Sequence, residues 1–253
     1  MLRPLFIALQ FLTRLPVPRS TTASPEERGR SVPFYPLVGL LLGALIVGMQ
    51  SLFATTDVGL QSALVLLVWV LLTGGLHLDG LADSADAWAG SHGDRDKALS
   101  IMKDAASGPA GVTAVILILL IKFAALSVLI RGNIWMALLI APLLGRSAIV
   151  LLLLTTPYVR SEGLGAAQAA FLPRRPAVVA LIISIVVVAG FGLAGIWALV
   201  VSLGLLLILR AMMIRRLGGA TGDTFGASCE LIETAALVAI ALISGSIGQS
   251  QYP

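Results

Sequence analysis

Long apolar runs recur along this chain and alternate with short polar segments. A transmembrane helix needs about 20 predominantly apolar residues, and a bilayer offers no water to unpaired backbone groups. The composition agrees, because 58% of the residues are hydrophobic and only 12% are charged. The sequence therefore predicts an all-α, polytopic membrane helix bundle of about six to seven transmembrane helices, forming one integral membrane domain over residues 1–253. The predicted spans are residues 36–53, 60–78, 110–129, 134–155, 177–191, 194–210 and 226–243.

The basic residues lie in alternate loops. Four loops carry them, and the short connections between these loops hold only Arg131; the basic residues are Arg14, Arg19, Arg28 and Arg30, then Arg95, Lys97 and Lys103, then Arg160, Arg174 and Arg175, then Arg210, Arg215 and Arg216. Loops rich in Lys and Arg stay in the cytoplasm. We therefore predict that Ser91 and Ser161 are exposed to the cytoplasm and that Gln249 lies on the far side. Membrane orientation also explains the net charge of +4, so no nucleic-acid partner is expected.

Three aspartates, Asp79, Asp83 and Asp86, follow directly after the second apolar run. Their spacing of four and three residues places them on one face if the chain continues as a helix. At the centre of a bilayer each aspartate would cost roughly 2.5–3.5 kcal/mol. Such a group needs an aqueous face or a bound cation, so it predicts a divalent-cation site at the membrane surface.

Two further polar segments end at predicted spans. Asp223 and Glu230 are seven residues apart, hence on one helical face, and Glu233 lies one turn beyond. Residues 101–111 add Lys103, Asp104 and Ser107 with two glycines and one proline. The loop pattern puts all of these at the same cytoplasmic boundary, so we expect an acidic site that faces the cytoplasm.

Carboxylates without a cysteine or histidine cluster favour a hard cation such as Mg²⁺, Mn²⁺ or Ca²⁺. Cys229 is the only cysteine. Magnesium usually takes one or two carboxylates and completes its shell with water and substrate phosphates. Lys103, Arg95 or Lys97 would hold the remaining phosphate charge. Phosphoryl or phosphodiester transfer is therefore the leading reaction class.

The same segments resemble a known family. Residues 11–18 (FLTRLPVP), 74–83 (GGLHLDGLAD), 102–104 (MKD) and 221–227 (TGDTFGA) look like the motifs of the cobalamin synthases, also called adenosylcobinamide-GDP ribazoletransferases. The resemblance covers nearly the whole chain. It implies a multi-pass enzyme of the cytoplasmic (inner) membrane that requires Mg²⁺. The enzyme would join adenosylcobinamide-GDP to alpha-ribazole or its 5′-phosphate and release GMP.

The resemblance also suggests roles for the predicted residues. The metal ligands would come from Asp79, Asp83, Asp86, Asp223 and Glu230, and the catalytic groups from Asp83, Asp104, Asp223 and His77. The substrate contacts would come from Lys103, Arg95, Ser107 and Thr221. Sequence does not separate a ligand from the base that accepts the hydroxyl proton. Partners would be the two substrates, membrane lipid and other enzymes of the late cobalamin pathway, and an oligomer stays open.

Two other functions are compatible with the pattern. The acidic run resembles the motif of CDP-alcohol phosphotransferases, but Asp83 stands where that family has an arginine after the alanine. An ion-coupled transporter or magnesium carrier would also use carboxylates, although transporters usually bind their substrates near the bilayer midplane on repeated elements.

Other polar residues have structural interpretations. His77 is equally compatible with a structural role. Lys122 and Arg146 lie deep within spans and are expected to pair inside the bundle. Residues 5–12 are expected to lie in the membrane–water interface and to pack on the helix bundle.

Overall fold

The computed structural model describes residues 2–17, 23–161 and 163–249, and these residues are almost entirely helical. Pro18 and Arg19, part of the first motif and first basic loop, lie outside them. The helices are α1 (Arg3–Leu12), α2 (Pro25–Ser31), α3 (Tyr35–Leu52), α4 (Val58–Thr73), α5 (Leu76–Gly90), α6 (Arg95–Ile101), α7 (Pro109–Arg131), α8 (Met136–Thr155), α9 (Leu164–Ala170), α10 (Arg174–Ala189), α11 (Gly192–Leu217) and α12 (Gly222–Gln249). A short 3-10 turn, Val32–Phe34, joins α2 to α3. The all-α prediction is confirmed.

Five helical segments are long and apolar enough to cross a membrane: Pro25–Leu52, Pro109–Arg131, Met136–Thr155, Gly192–Leu217 and Gly222–Ser244. Two bent pairs, α4 with α5 and α9 with α10, raise the number to as many as seven. Hydropathy located these segments because a chain that crosses lipid needs apolar side chains and a helical backbone that satisfies its own hydrogen bonds. The division near Gly190 is also confirmed, since α10 ends at Ala189 and α11 begins at Gly192.

The second predicted span, residues 60–78, needs correction. Helix α4 ends at Thr73, and α5 leaves it at 88°. Gly74 and Gly75 form the corner with φ of 64° and 71°, a left-handed backbone that glycine adopts at little cost. The acidic run therefore does not continue the axis of the preceding span. It lies on a separate helix turned across the end of the bundle.

Helix α8 is the central element, with most of its residues buried. Close approach of its neighbours depends on glycines, the usual device of membrane helix pairs. A side chain on Gly43 of α3 would meet the carbonyl oxygen of Leu138 at 2.6 Å, and one on Gly145 of α8 would meet Cys229 of α12 at 2.9 Å. Cys229 is a buried packing residue, as predicted. Helix α1 packs on α2 and α3 and buries Ala8 and Leu12, which confirms the predicted packing on the bundle, whereas its place in the membrane interface stays a prediction.

Four charged side chains form a buried network inside the bundle. The Lys122 ammonium lies 2.5 Å from Glu230 and 2.6 Å from Glu233, and Glu233 also pairs with Arg146. The Lys122 ammonium additionally sits 4.8 Å from the ring centre of Trp69. Two cations and two carboxylates thus balance within the membrane. The prediction that Lys122 and Arg146 pair inside the bundle is confirmed.

Candidate active site

A cleft of about 250 Å³ opens at the end of the bundle where α7 and α12 begin and where α8 and α11 end. We call this end the cleft end. The walls come from α1, α5, α8, α9, α12 and the connection between α8 and α9. The polar lining residues are His77, Asp79, Tyr158, Arg160, Gln168 and Asp223. Two of the predicted acidic segments therefore contribute to one cavity.

Helices α5 and α12 cross at glycines, which brings their carboxylates together. A side chain on Gly80 would meet the Asp223 carbonyl oxygen at 2.6 Å, so only glycine fits there. Gly226 on α12 faces the backbone of His77, where an added side chain would meet the His77 Cα at 3.3 Å. Asp79, one residue before Gly80, and Asp223 consequently line the same cleft. The GGLHLDGLAD and TGDTFGA motifs thus owe some of their glycines to this crossing.

Asp79 and Asp83 carry uncompensated negative charge. Asp79 is exposed and Asp83 is half-buried, and neither side chain has a hydrogen-bond or ion-pair partner within the described residues. The Asp83 carboxylate experiences the charges of Asp79, Asp223 and Asp86, which are opposed mainly by Arg160. Like charges held this close repel one another unless a cation is added.

Among the described residues, Arg160 is the one cation that pairs with this acidic group, and its sequence position marks it only as a basic loop residue. Its guanidinium lies 2.6 Å from Asp223 and 3.3 Å from the carbonyl oxygen of Met102. An isolated parallel bridge fixes it, because the Val159 N–H donates to Ala220 and the Ala220 N–H donates to Pro157. The buried Arg160 Nε has no partner within the described residues. Nothing in the local sequence distinguishes Arg160 from the other basic loop residues.

Tyr158 and His77 complete the polar lining. Burial raises the pKa of the Tyr158 phenol, so the hydroxyl stays protonated at neutral pH and able to donate a hydrogen bond. His77 is 3% exposed, and its Nδ1 lies 3.5 Å from Arg146. His77 therefore links the cleft to the buried ion network. The structure is compatible with both roles foreseen for this histidine.

Besides Asp223, which pairs with Arg160, two more of the predicted metal ligands have partners. Asp86 accepts hydrogen bonds from the backbone N–H groups of Gly108 and Gly111, at 2.7 and 2.8 Å, and so caps the start of α7. Glu230 lies two turns beyond Asp223, about 10 Å along the axis, and pairs with Lys122. Spacing of seven residues gives the same helical face but not the same depth. Glu230 thus belongs to the buried network rather than to the cleft.

Two predicted substrate contacts also have structural partners. Thr221 is fully buried, and its hydroxyl accepts the Thr224 N–H at the start of α12. Arg95 donates to the carbonyl oxygen of Leu217 at 2.8 Å, which caps the end of α11. These helix-end bonds explain why both residues occur beside the motifs. They leave Thr221 without access to the cleft.

The segment after α6 remains exposed at the rim. Lys103, Asp104 and Ser107 are all exposed, and Asp104 accepts the Ala106 N–H at 3.0 Å. Lys103 directly follows Met102, whose carbonyl oxygen contacts Arg160. The rim segment is therefore next to the acidic group. Substrate contact by Lys103 and Ser107 and a catalytic role for Asp104 stay predictions.

These carboxylates fit a magnesium ion that is shared with a substrate better than a metal ion that is held by protein ligands alone. No group of three or more His, Cys, Asp or Glu side chains within the described ranges is arranged to hold a metal ion alone. The five predicted ligands are thus not gathered in one cluster. Magnesium, however, is usually held by one or two carboxylates together with substrate phosphates. Asp79 and Asp83, the unpartnered pair, have the chemistry that such a shared site requires.

Comparison with known proteins gives a consistent set of relatives. The family model described as cobalamin-5-phosphate synthase matches residues 4–241. An adenosylcobinamide-GDP ribazoletransferase of Pseudomonas fluorescens is 51% identical over 242 residues, covering 94% of this chain and 99% of the relative. The protein of the same name from Pseudomonas aeruginosa is 52% identical over 241 residues, covering 95% and 98%. No solved structure matches this chain.

Proposed function

Because the chain belongs to the cobalamin-5-phosphate synthase family, we propose that it is a magnesium-dependent adenosylcobinamide-GDP ribazoletransferase whose cleft faces the cytoplasm. Its substrates are adenosylcobinamide-GDP and ribazole, as the names of its relatives imply. The chain is a multi-pass membrane protein, and we assign it to the cytoplasmic membrane. The observation that carries the proposal is that two carboxylates without a partner in the described residues, Asp79 and Asp83, lie near Arg160 at a cleft that Asp79 and Arg160 line.

The transfer would form one phosphodiester bond and break one pyrophosphate bond. The ribose 3′-hydroxyl of ribazole attacks the phosphorus attached to cobinamide, and GMP leaves with the bridging oxygen. Catalysis of this kind consists mostly of positioning and charge stabilisation. Bound magnesium would neutralise the pyrophosphate and the charge that develops on the departing GMP. We assign Asp79 and Asp83 to hold it, and Asp223 adds to the negative charge of the same site.

The other cleft residues would position the substrates. Arg160, oriented by its ion pair with Asp223, directs its remaining N–H groups to phosphate oxygens, which a planar guanidinium recognises well. The Tyr158 hydroxyl donates a hydrogen bond into the cleft. Glycines at the α5–α12 crossing keep the two acidic segments at a fixed separation. The buried His77 remains a contact or support for the same wall.

Replacing Arg160 tests its role in phosphate recognition. We expect Arg160→Gln to lower kcat/KM by about 10- to 100-fold, since hydrogen bonds to charged groups contribute about 1.5–3 kcal/mol. Arg160→Lys keeps the charge but not the planar fork, so it should recover part of the loss. Steady-state GMP release measures both variants. Arg175→Gln, an exposed basic residue at the start of α10, is the matched control, and an equal loss in this control would contradict the assignment.

The orientation is tested by single-cysteine labelling in a Cys229→Ala background. The predicted exposure of Ser91 is wrong, because Ser91 is only 3% exposed, and the exposed neighbour His92 is the labelling site instead. We expect His92→Cys and Ser161→Cys to react with an impermeant reagent only in opened cells. Asn133→Cys, exposed at the other end of the bundle, should react in intact cells. Labelling of Ser161→Cys from outside would reverse the orientation.

The reaction itself is tested with purified protein in lipid nanodiscs. Adenosylcobinamide-GDP, alpha-ribazole 5′-phosphate and Mg²⁺ should give GMP and a corrinoid product in equal amounts. A chelator should stop the reaction, and added Mg²⁺ should restore it. Magnesium flux in liposomes without any GMP release would instead indicate a carrier and overturn the proposal.

A further inference from the structure

A second cavity lies on the opposite face of α5 from the aspartates. It has a volume of about 200 Å³ and is bounded by α5, α11 and α12. Its lining is almost wholly apolar and includes Leu81, Ala85, Leu209, Met212, Met213 and Leu231. Helices α5 and α11 each pack on α12, and the cavity fills the groove between them. We call it the α5–α11 groove.

Two residues that line the groove carry a polar atom that has no partner within the described part of the chain. The Ser84 hydroxyl and the Trp88 indole nitrogen are both buried and unpaired, although both residues line the groove. Ser84 is 9% exposed. An unsatisfied buried donor costs about 1–3 kcal/mol. A ligand that brings hydrogen-bond acceptors into an otherwise apolar groove would remove this cost.

A cation lies next to Trp88, one of the residues that line the groove. The Arg216 guanidinium donates to the Trp88 carbonyl oxygen at 3.1 Å and lies 5.7 Å from the ring centre of the same tryptophan. Its other N–H groups have no partner in the described ranges, and the side chain is exposed. Arg215 precedes it, also exposed, in the last turn of α11. Positive charge at a helix end near the membrane surface attracts anionic headgroups.

The groove opens on a surface that faces lipid. Residues on the outer face of α11, including Leu203, Leu207 and Ile208, are at least half exposed, as expected of side chains in contact with acyl chains. The groove continues this surface towards the cleft end, where Met212 is also exposed. In space, the apolar surface comes first, then the two buried donors and then the cation. A phospholipid has its acyl chains, ester carbonyls and phosphate in the same order.

We propose that the α5–α11 groove binds an anionic phospholipid, with an acyl chain in the groove and the phosphate held by Arg216. The glycerol ester carbonyls would accept hydrogen bonds from Ser84 and Trp88. Bound in this way, the lipid would rest on the back of α5, the helix that carries Asp79 and Asp83. Occupancy of the groove does not depend on catalysis.

Contact quenching of Trp88 by brominated lipids tests the proposal. The protein, with Trp135 and Trp197 replaced by Phe, is placed in phosphatidylcholine nanodiscs that contain a small fraction of acyl-brominated phosphatidylglycerol or, for comparison, acyl-brominated phosphatidylcholine. The fluorescence of Trp88 is obtained as the difference between this protein and the same protein that also carries Trp88→Phe. One surface arginine gives roughly fivefold enrichment of an anionic lipid. We therefore expect clearly stronger quenching by the brominated phosphatidylglycerol.

Three variants separate specific from general binding. Arg216→Gln should remove the preference for phosphatidylglycerol, whereas Arg175→Gln should keep it. Ala85→Leu fills the groove without a change of charge and should reduce quenching by either lipid. Equal quenching by the two headgroups, or an unchanged preference in Arg216→Gln, would overturn the proposal. Displacement of the lipid by GMP or alpha-ribazole 5′-phosphate would assign the groove to substrate and would overturn it as well.

Discussion

Asp83→Asn should lower the transfer rate by roughly 10²- to 10³-fold or more, the range seen when a group that stabilises transition-state charge is removed. The side chain keeps its shape but loses its negative charge. Asp83 has no partner within the described residues, so the substitution breaks no internal hydrogen bond or ion pair. The folded bundle should therefore be unaffected. Single-turnover GMP release, measured over a range of Mg²⁺ concentrations, gives the effect.

The matched control is Asp96→Asn, which removes an exposed carboxylate at the same end of the bundle. It should retain nearly full activity, because surface ion pairs contribute little. Correct insertion of both variants is checked by size-exclusion chromatography. Normal Mg²⁺-dependent turnover by a well-folded Asp83→Asn protein would exclude Asp83 from the magnesium site.

The second large effect concerns stability. Glu233→Gln should destabilise the bundle by about 3–5 kcal/mol, the usual result of breaking a buried ion pair from one side. Glu233 is fully buried and pairs with both Lys122 and Arg146, so its loss leaves two cations with only Glu230. Cys229, the only cysteine, is fully buried, and its reaction with a fluorogenic thiol probe during heating reports unfolding.

A charge-balanced double variant controls for simple loss of packing. Glu233→Gln with Arg146→Met removes one charge of each sign and leaves the Lys122–Glu230 pair intact. Its melting temperature should lie above that of Glu233→Gln alone. If the double variant melts lower by the sum of the two single effects, charge balance is not what stabilises this part of the membrane core.

The sequence predicted the spans well because the membrane imposes a single local rule on each of them. Length and apolarity suffice, so α7, α8 and α11 could be placed from hydropathy alone. The corner at Gly74 was not predicted, since two glycines are compatible with both a straight and a broken helix. Its direction depends on tertiary contact, including the hydrogen bond from the backbone N–H of Arg14 to the carbonyl oxygen of Leu72.

The candidate site was predicted only where a local sequence pattern determines it. Periodicity correctly placed Asp79 and Asp83 on one helical face, and the glycine-rich motif pointed to Asp223. Periodicity could not show that Glu230 pairs with Lys122, which lies 108 residues away in the sequence. Arg160 was missed because an irregular loop, fixed only by the bridge between Tyr158 and Ala220, carries it to the cleft. Long-range pairing of this kind leaves no periodic signal.

The central claim is that the acidic residues of α5 and α12 act in one magnesium-dependent site. A double-mutant cycle on the transfer rate, with Asp79→Asn, Asp223→Asn and the combined variant at several Mg²⁺ concentrations, tests it most directly. Groups that serve the same transition state are strongly non-additive. We expect the combined variant to lose little more than the worse single variant, and both single variants to need more Mg²⁺. Fully additive losses, with only Asp79→Asn changing the Mg²⁺ requirement, would contradict a shared site.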